Sequence, residues 1–262
     1  MSAVRSLCAY AIAGALSGAP LAALAQANTP VVAILYFDNN SFGKDRADYD
    51  GLGKGIADLL ITDMASNPAM RVVERDRLQS ILQEQNLVAS KSVDPQTAVR
   101  LGKLLGAQYM VTGGFMSDGK GTLLVTSRVI NVETGAITSP MKLQAKGDDV
   151  LGLIGQLSTR LNSDLKLPAL PRQTGDAGAA KPASPARTAS SAGSAGAQPA
   201  PTPATRPQKL DVKTALLYSK ALDEQDSGHT EKAAELYRAV LDKFPDFGPA
   251  RQNLAKVRKS GD

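Results

Sequence analysis

The chain has 262 residues, 4% of them aromatic and none Trp, with a formal charge of +5. That charge is not placed where a fold could use it: residues 31–166 hold 15 basic and 15 acidic side chains, residues 208–262 hold 10 and 9, and the rest of the excess falls on Arg5, Arg172, Lys181, Arg187 and Arg206. Nucleic-acid binding needs a basic face and stacking aromatics on a folded surface, and this distribution excludes it.

The first 25 residues read as a signal peptide. Arg5 gives the charged start, Leu7 to Leu16 the apolar stretch, and Ala23-Leu24-Ala25 the small residues that place cleavage before Gln26. The apolar stretch is too short, and too broken by Gly18 and Pro20, to span a bilayer. Cys8, the one cysteine, lies inside this leader and lacks a lipoprotein box, so the mature chain is expected to have no thiol or disulfide chemistry.

From Val31 to Phe37 runs a continuous apolar segment, expected as a strand buried on both faces. Ile56, Leu59, Leu60 and Met64 have amphipathic helical spacing, and that helix ends near Asn67-Pro68. A short strand over Arg71–Glu74 and a helix marked by Leu78, Ile81 and Leu82 follow. Asp94 is expected to cap a helix with Pro95 in its first turn, Ala98, Leu101 and Leu105 on its core face, and Gly106 at its end. A strand from Tyr109, a turn at Asp118-Gly119, a strand from Leu123 to Val132, a turn at Glu133-Thr134-Gly135 and a strand from Ala136 to Lys146 form a meander. The last helix carries Val150, Leu153, Ile154, Leu157, Leu161 and Leu165. The order predicts an α/β fold, a mixed sheet with packed helices.

Residues 168–207 are almost all Ala, Pro, Ser, Gly and Thr, expected as a disordered linker. Beyond it, Leu216, Leu217, Ala221 and Leu222 mark one helix, Ser227-Gly228 a break, and Ala233, Leu236, Tyr237, Val240 and Leu241 a second helix ending at Phe244-Pro245. Phe247-Gly248-Pro249 opens a third, with Ala250, Leu254 and Val257 on one face. The expected organisation is a signal peptide over 1–25, an α/β domain over 28–167, the linker over 168–207 and an all-α module over 208–262.

Several motifs carry possible chemistry, and each reads as structural. Gly51-Leu52-Gly53-Lys54-Gly55 resembles a phosphate cradle, but its third glycine falls one residue early and a long loop separates it from the strand, so it reads as a glycine-rich helix start. Gly114 to Lys120 matches a P-loop up to its last position, where Gly121 replaces the hydroxyl residue; the next element is a strand, so a hairpin turn is expected. Asp45, Asp48 and Asp50 lack EF-hand spacing, and Asp50 is expected to cap the helix that follows. His229 is the only histidine, which leaves no Ser-His-Asp set and no histidine metal cluster. No catalytic, cofactor-binding or metal-binding residue is expected, and no cofactor.

The blocks VVAILYFDNNS, YDGLGKGIADLLITDM, RVVERDRLQSILQEQNL, LGKLLGAQYMVTGGF and RVINVETGAI follow one another as in the CsgG family, which residues 31–166 resemble. The resemblance implies an exported α/β domain that assembles into rings, without known catalysis. Channel-forming members insert long membrane hairpins, whereas the polar segment Asp38–Tyr49 is too short for a pair of strands of about 9 to 11 residues each and Met116–Thr122 is only a tight turn, so no transmembrane barrel is expected. The last module resembles a tetratricopeptide repeat (TPR) through Ala221, Gly228, Ala233, Tyr237 and Pro245, with Glu224 where that repeat carries an aromatic. Fewer than three repeats rarely bury a core of their own, so the module is expected to pack on a second copy or a partner.

These readings predict a non-enzymatic, periplasmic or outer-membrane-associated accessory or scaffold protein of an envelope secretion or assembly system. It would act as a homo-oligomer and reach an envelope protein through the TPR-like module. The alternatives are a periplasmic regulator of a peptidoglycan synthase or motility apparatus and, from the glycine loops alone, a nucleotide-binding enzyme.

Overall fold

The computed structural model describes residues 29–87, 93–118, 122–138, 140–166 and 209–260; the expected leader and linker lie outside them. Strand β1 (Val31–Ile34) runs parallel between β3 (Arg71–Val72) and β4 (Tyr109–Ser117), and β2 (Asp38–Asn39) pairs with the far end of β4. Two antiparallel strands, β5 (Thr122–Asn131) and β6 (Met141–Lys146), complete the order β3-β1-β4-β5-β6. The sheet is mixed, as expected, and β1 is internal to it. The side-chain alternation of the strands sorts the core into two layers. Val32, Ile34, Val111, Phe115, Val125 and Leu143 meet α1 (Leu52–Met64) and α4 (Val150–Asp164) on one face. Ala33, Leu35, Met110 and Ile130 meet α2 (Arg75–Glu84) and α3 (Pro95–Leu105) on the other.

The α3 termini follow the sequence closely. The Asp94 carboxylate accepts from the backbone N–H of Gln96 at 2.9 Å and of Thr97 at 3.0 Å, and Gly106 closes the helix at φ 66°. Two expectations need correction. Asp50 does not cap α1: Gly51 occupies that position without a side-chain bond, and Asp50 instead accepts from Asn39 Nδ2 at 2.8 Å. The third meander strand does not begin at Ala136. Ile137 makes one isolated bridge to Ile130, and regular pairing starts at Met141, just after Pro140, which has no N–H to donate.

The start of α1 is held against the end of β1 through a glycine. Phe37 N donates to Gly53 O at 3.3 Å, and a Cβ on Gly53 would sit 1.8 Å from the Phe37 carbonyl oxygen. Backbone cannot turn aside as a side chain can, so Gly53→Ala is expected to destabilise the fold by about 1–3 kcal/mol. Urea unfolding checks this, and an unchanged midpoint would show that β1 and α1 separate freely.

Candidate functional site

Three helices follow residue 209: α5 (Val212–Asp226), α6 (Thr230–Lys243) and α7 (Gly248–Ser260). Asp211 caps α5, accepting from Thr214 N at 3.0 Å and Thr214 Oγ1 at 2.8 Å. Partial desolvation pushes its carboxyl up, but these hydrogen bonds outweigh that and hold it below the usual range. Inside the three helices, the Tyr218 ring lies 5.9 Å from Tyr237 and edge-on to Phe247 at 5.1 Å. Ala221, Leu222, Ala233, Val240, Ala250, Leu254 and Val257 fill the space around them.

This helical core is continuous with the layer between the sheet, α1 and α4. The surface expected to cover the module is here the α1 face of the same chain, against which α5 lies. The backbone seals the junction, with Val150 N donating to Leu210 O at 2.9 Å and Val212 N to Gly147 O at 2.8 Å. The Gly51-x-Gly53-x-Gly55 run now has a physical role. Gly51 and Gly55 stand one turn apart on the α1 face that meets α5, where a Cβ on Gly55 would come within 2.0 Å of Ser219 Oγ. The glycines admit a helix, not a phosphate.

At the centre of this interface lies a buried ionic network. Arg75, which opens α2 and is 4% exposed, sets Nε 3.1 Å from Asp58 Oδ1 and donates through Nη1 to Asp226 Oδ1 and through Nη2 to Asp76 Oδ1, the last at 3.1 Å. Asp226 Oδ2 is 2.9 Å from Lys54 Nζ, which also meets Asp223 and stands 5.3 Å over the Tyr36 ring. The Tyr218 hydroxyl donates to Asp58 Oδ2 and accepts from Asn253 Nδ2 at 2.9 Å. At the rim, Lys256 Nζ is 3.3 Å from Asp76 Oδ2. Helices α1, α2, α5 and α7 thus each contribute to the network in this docked register, in which Asp226 Oδ2 meets Lys54 Nζ as an ion pair but accepts no hydrogen bond.

Burial pushes the Asp58 carboxyl up, against the opposing pull of the Tyr218 hydroxyl and the Arg75 guanidinium. Burial, then the Asp58 carboxylate, pushes the Tyr218 hydroxyl up. Burial alone would weaken the charge on Arg75, but Asp226 and Asp58 outweigh it and keep the guanidinium protonated. These groups are fixed, mutually paired and closed to solvent. The arrangement suits a latch between helices and leaves no open position for a reacting atom.

The sequence candidates fall elsewhere. Asp48 is exposed, Asp50 is tied to Asn39, and nothing is described of the Asp45 side chain. Among the described residues no group of three or more His, Cys, Asp or Glu is placed to hold a metal. His229 is exposed, its Nδ1 2.8 Å from Glu224 Oε2. Gly114 lies within β4, where a Cβ would meet Asn40 Nδ2 at 2.3 Å, and residues 119–121 are outside the described set. A small cleft of about 180 Å³ opens beside β4 and β5, lined in part by Tyr36, Asn40, Thr112 and Arg128. The interface residues Lys54, Asp58, Arg75, Tyr218, Ser219 and Asp226 were not legible as a group. The available signal was the four-residue spacing of Gly51 and Gly55 on one helix face.

No curated protein matches the chain. Among solved structures it is similar to the LpoB C-terminal domain from Salmonella enterica, at 15% identity and a TM-score of 0.33 over 45% of this chain and 83% of that one. It is also similar to lipoprotein GNA1162 from Neisseria meningitidis, at 14% identity and 0.35 over 52% and 96%. A third likeness is to the PelC dodecamer from Paraburkholderia phytofirmans, at 14% and 0.32 over 54% and 90%. Residues 22–123 match the family described as "Curli production assembly/transport component CsgG", a span that starts inside the expected leader, takes in β1 to β4 with α1 to α3, and stops at the beginning of β5. The CsgG likeness of this chain is therefore carried by residues 22–123, in its α/β part.

Proposed function

We propose that this chain is an exported accessory protein of the cell envelope, periplasmic or outer-membrane-associated, that works through self-association and protein contacts rather than catalysis. The observation that carries this reading is a CsgG-like domain whose buried polar residues are engaged in holding helices together. The short link between β4 and β5 supports assembly without a pore, since only four residues separate Ser117 from Thr122. Among the described residues, no helix is long and apolar enough to cross a membrane.

Cell fractionation with N-terminal sequencing tests the location. The mature chain is expected to begin near Gln26 and to leave with the periplasm or outer membrane. An intact Met1 terminus in the cytosol would overturn export. Light scattering across concentrations tests self-association, and a strictly monomeric mass at high micromolar protein would remove the scaffold reading.

A further inference from the structure

The helical module and the face it covers are joined by much more chain than their geometry requires. Helix α4 ends at Asp164, and the chain re-enters the structure at residue 209, next to the start of that same helix, where Leu210 accepts from Val150 N. The return spans roughly the length of α4, about 22 Å for 15 residues. Residues 167–208 supply 42 residues for it. Extended, that length reaches about 140 Å, and even wound as a helix it would cover about 63 Å. The joint is therefore not what selects the α1 face of the same chain.

What selects it is the docking surface itself, which any copy of the chain presents. The Gly51 and Gly55 notch receives Ser219, the Arg75 fork receives Asp226, Asp58 receives the Tyr218 hydroxyl, and Lys256 reaches Asp76. None of these contacts distinguishes its own chain from a neighbour. A tether of this length gives the module an effective concentration on the order of millimolar at its own α1. Neighbours in contact, with centres about 35–40 Å apart for domains of this size, lie within the same reach and at a comparable concentration. We propose that the face formed by α1 and α2 is an interaction surface for a second copy of this chain, whose α5–α7 exchange onto it, so that assembled copies are joined by reciprocal swapping of the helical module. The proposal stands on the docked geometry and on the length of chain between α4 and α5, and is independent of where the protein resides.

A pair of cysteine variants tests it. A Cβ on Gly51 would lie 3.8 Å from Ser219 Cβ, within the range a disulfide requires. In a Cys8→Ala background, a full-length Gly51→Cys chain is co-expressed with a full-length Ser219→Cys chain and oxidised. Exchange gives a disulfide-linked heterodimer at twice the mass of the chain on a non-reducing gel, absent when either variant is expressed alone. A second pair guards against strain in the first. Asp76→Cys and Lys256→Cys replace half-exposed residues, and a short bis-maleimide bridges them. Chains carrying both cysteines of a pair are bridged internally where docking stays within the chain. Heterodimer from either mixture supports exchange. Absence of heterodimer from both mixtures overturns it, and the assay reads chain pairing without reference to cellular location.

Discussion

Replacing Arg75 with alanine is expected to destabilise the protein by about 3–5 kcal/mol near pH 7, because it strips the shared counter-charge from two buried carboxylates. Asp58 is 7% exposed and the Asp226 side chain 8%, so water cannot take over the role of the guanidinium. The loss should depend on pH with a definite sign. Burial already places the Asp58 carboxyl above its unfolded value, so its contribution favours the fold below the unfolded value and is lost as pH rises through the folded one. Without Arg75 that carboxyl rises further. The deficit of the variant should therefore narrow as pH falls toward about 4–5, where carboxylates begin to protonate, and widen above. Arg75→Lys keeps the charge but not the fork that reaches Asp58, Asp76 and Asp226 together, and should fall between. Urea unfolding across pH measures all three chains. A small loss for Arg75→Ala, flat with pH, would mean that α5 does not close over Asp58.

Tyr218→Ala is expected to destabilise by a similar amount, about 3–5 kcal/mol, since it empties one of the two largest fully buried positions between α5, α6 and α7. Tyr218→Phe keeps the ring against Tyr237 and Phe247 and removes only the hydroxyl. That leaves Asn253 Nδ2 without its acceptor and one Asp58 oxygen without its donor, a loss of about 1–3 kcal/mol. Thermal unfolding of the two variants separates packing from the polar link to α1. Equal losses would mean that the ring contributes nothing and that the aromatic cluster is misdescribed.

Features set by near neighbours could be read from the chain. The apolar run at Val31 becomes the internal strand, Asp94-Pro95 and Gly106 bound α3, and Ala250, Leu254 and Val257 are buried along α7 as their spacing requires. The phase of α5 was harder. Its leucines pointed to Leu216 and Leu217, yet these are half-buried, while Tyr218 and Ser219 are fully buried. A polar atom looks like a surface atom until its partner is known, and Asp58 lies 160 residues from Tyr218 and Asp226 lies 151 from Arg75 in sequence. The same distance hid the site. Lys54, Asp58 and Asp226 are ordinary charges on separate helices, and only the docking of α5 on α1 turns them into one network.

The seal between residues 147–150 and 210–212 also bears on how the chain becomes folded. Helix α1 is made early, yet part of what covers it arrives with α5, some 160 residues later. At about 5–20 residues per second of synthesis, that interval is roughly 8–30 seconds. Throughout it, Asp58 and Arg75 remain hydrated and the notch at Gly55 stands empty. Contacts so remote along the chain form slowly, because loop closure must precede any gain from them. A nascent chain therefore cannot complete this layer until nearly all of it has been made, which holds it open for much of its synthesis.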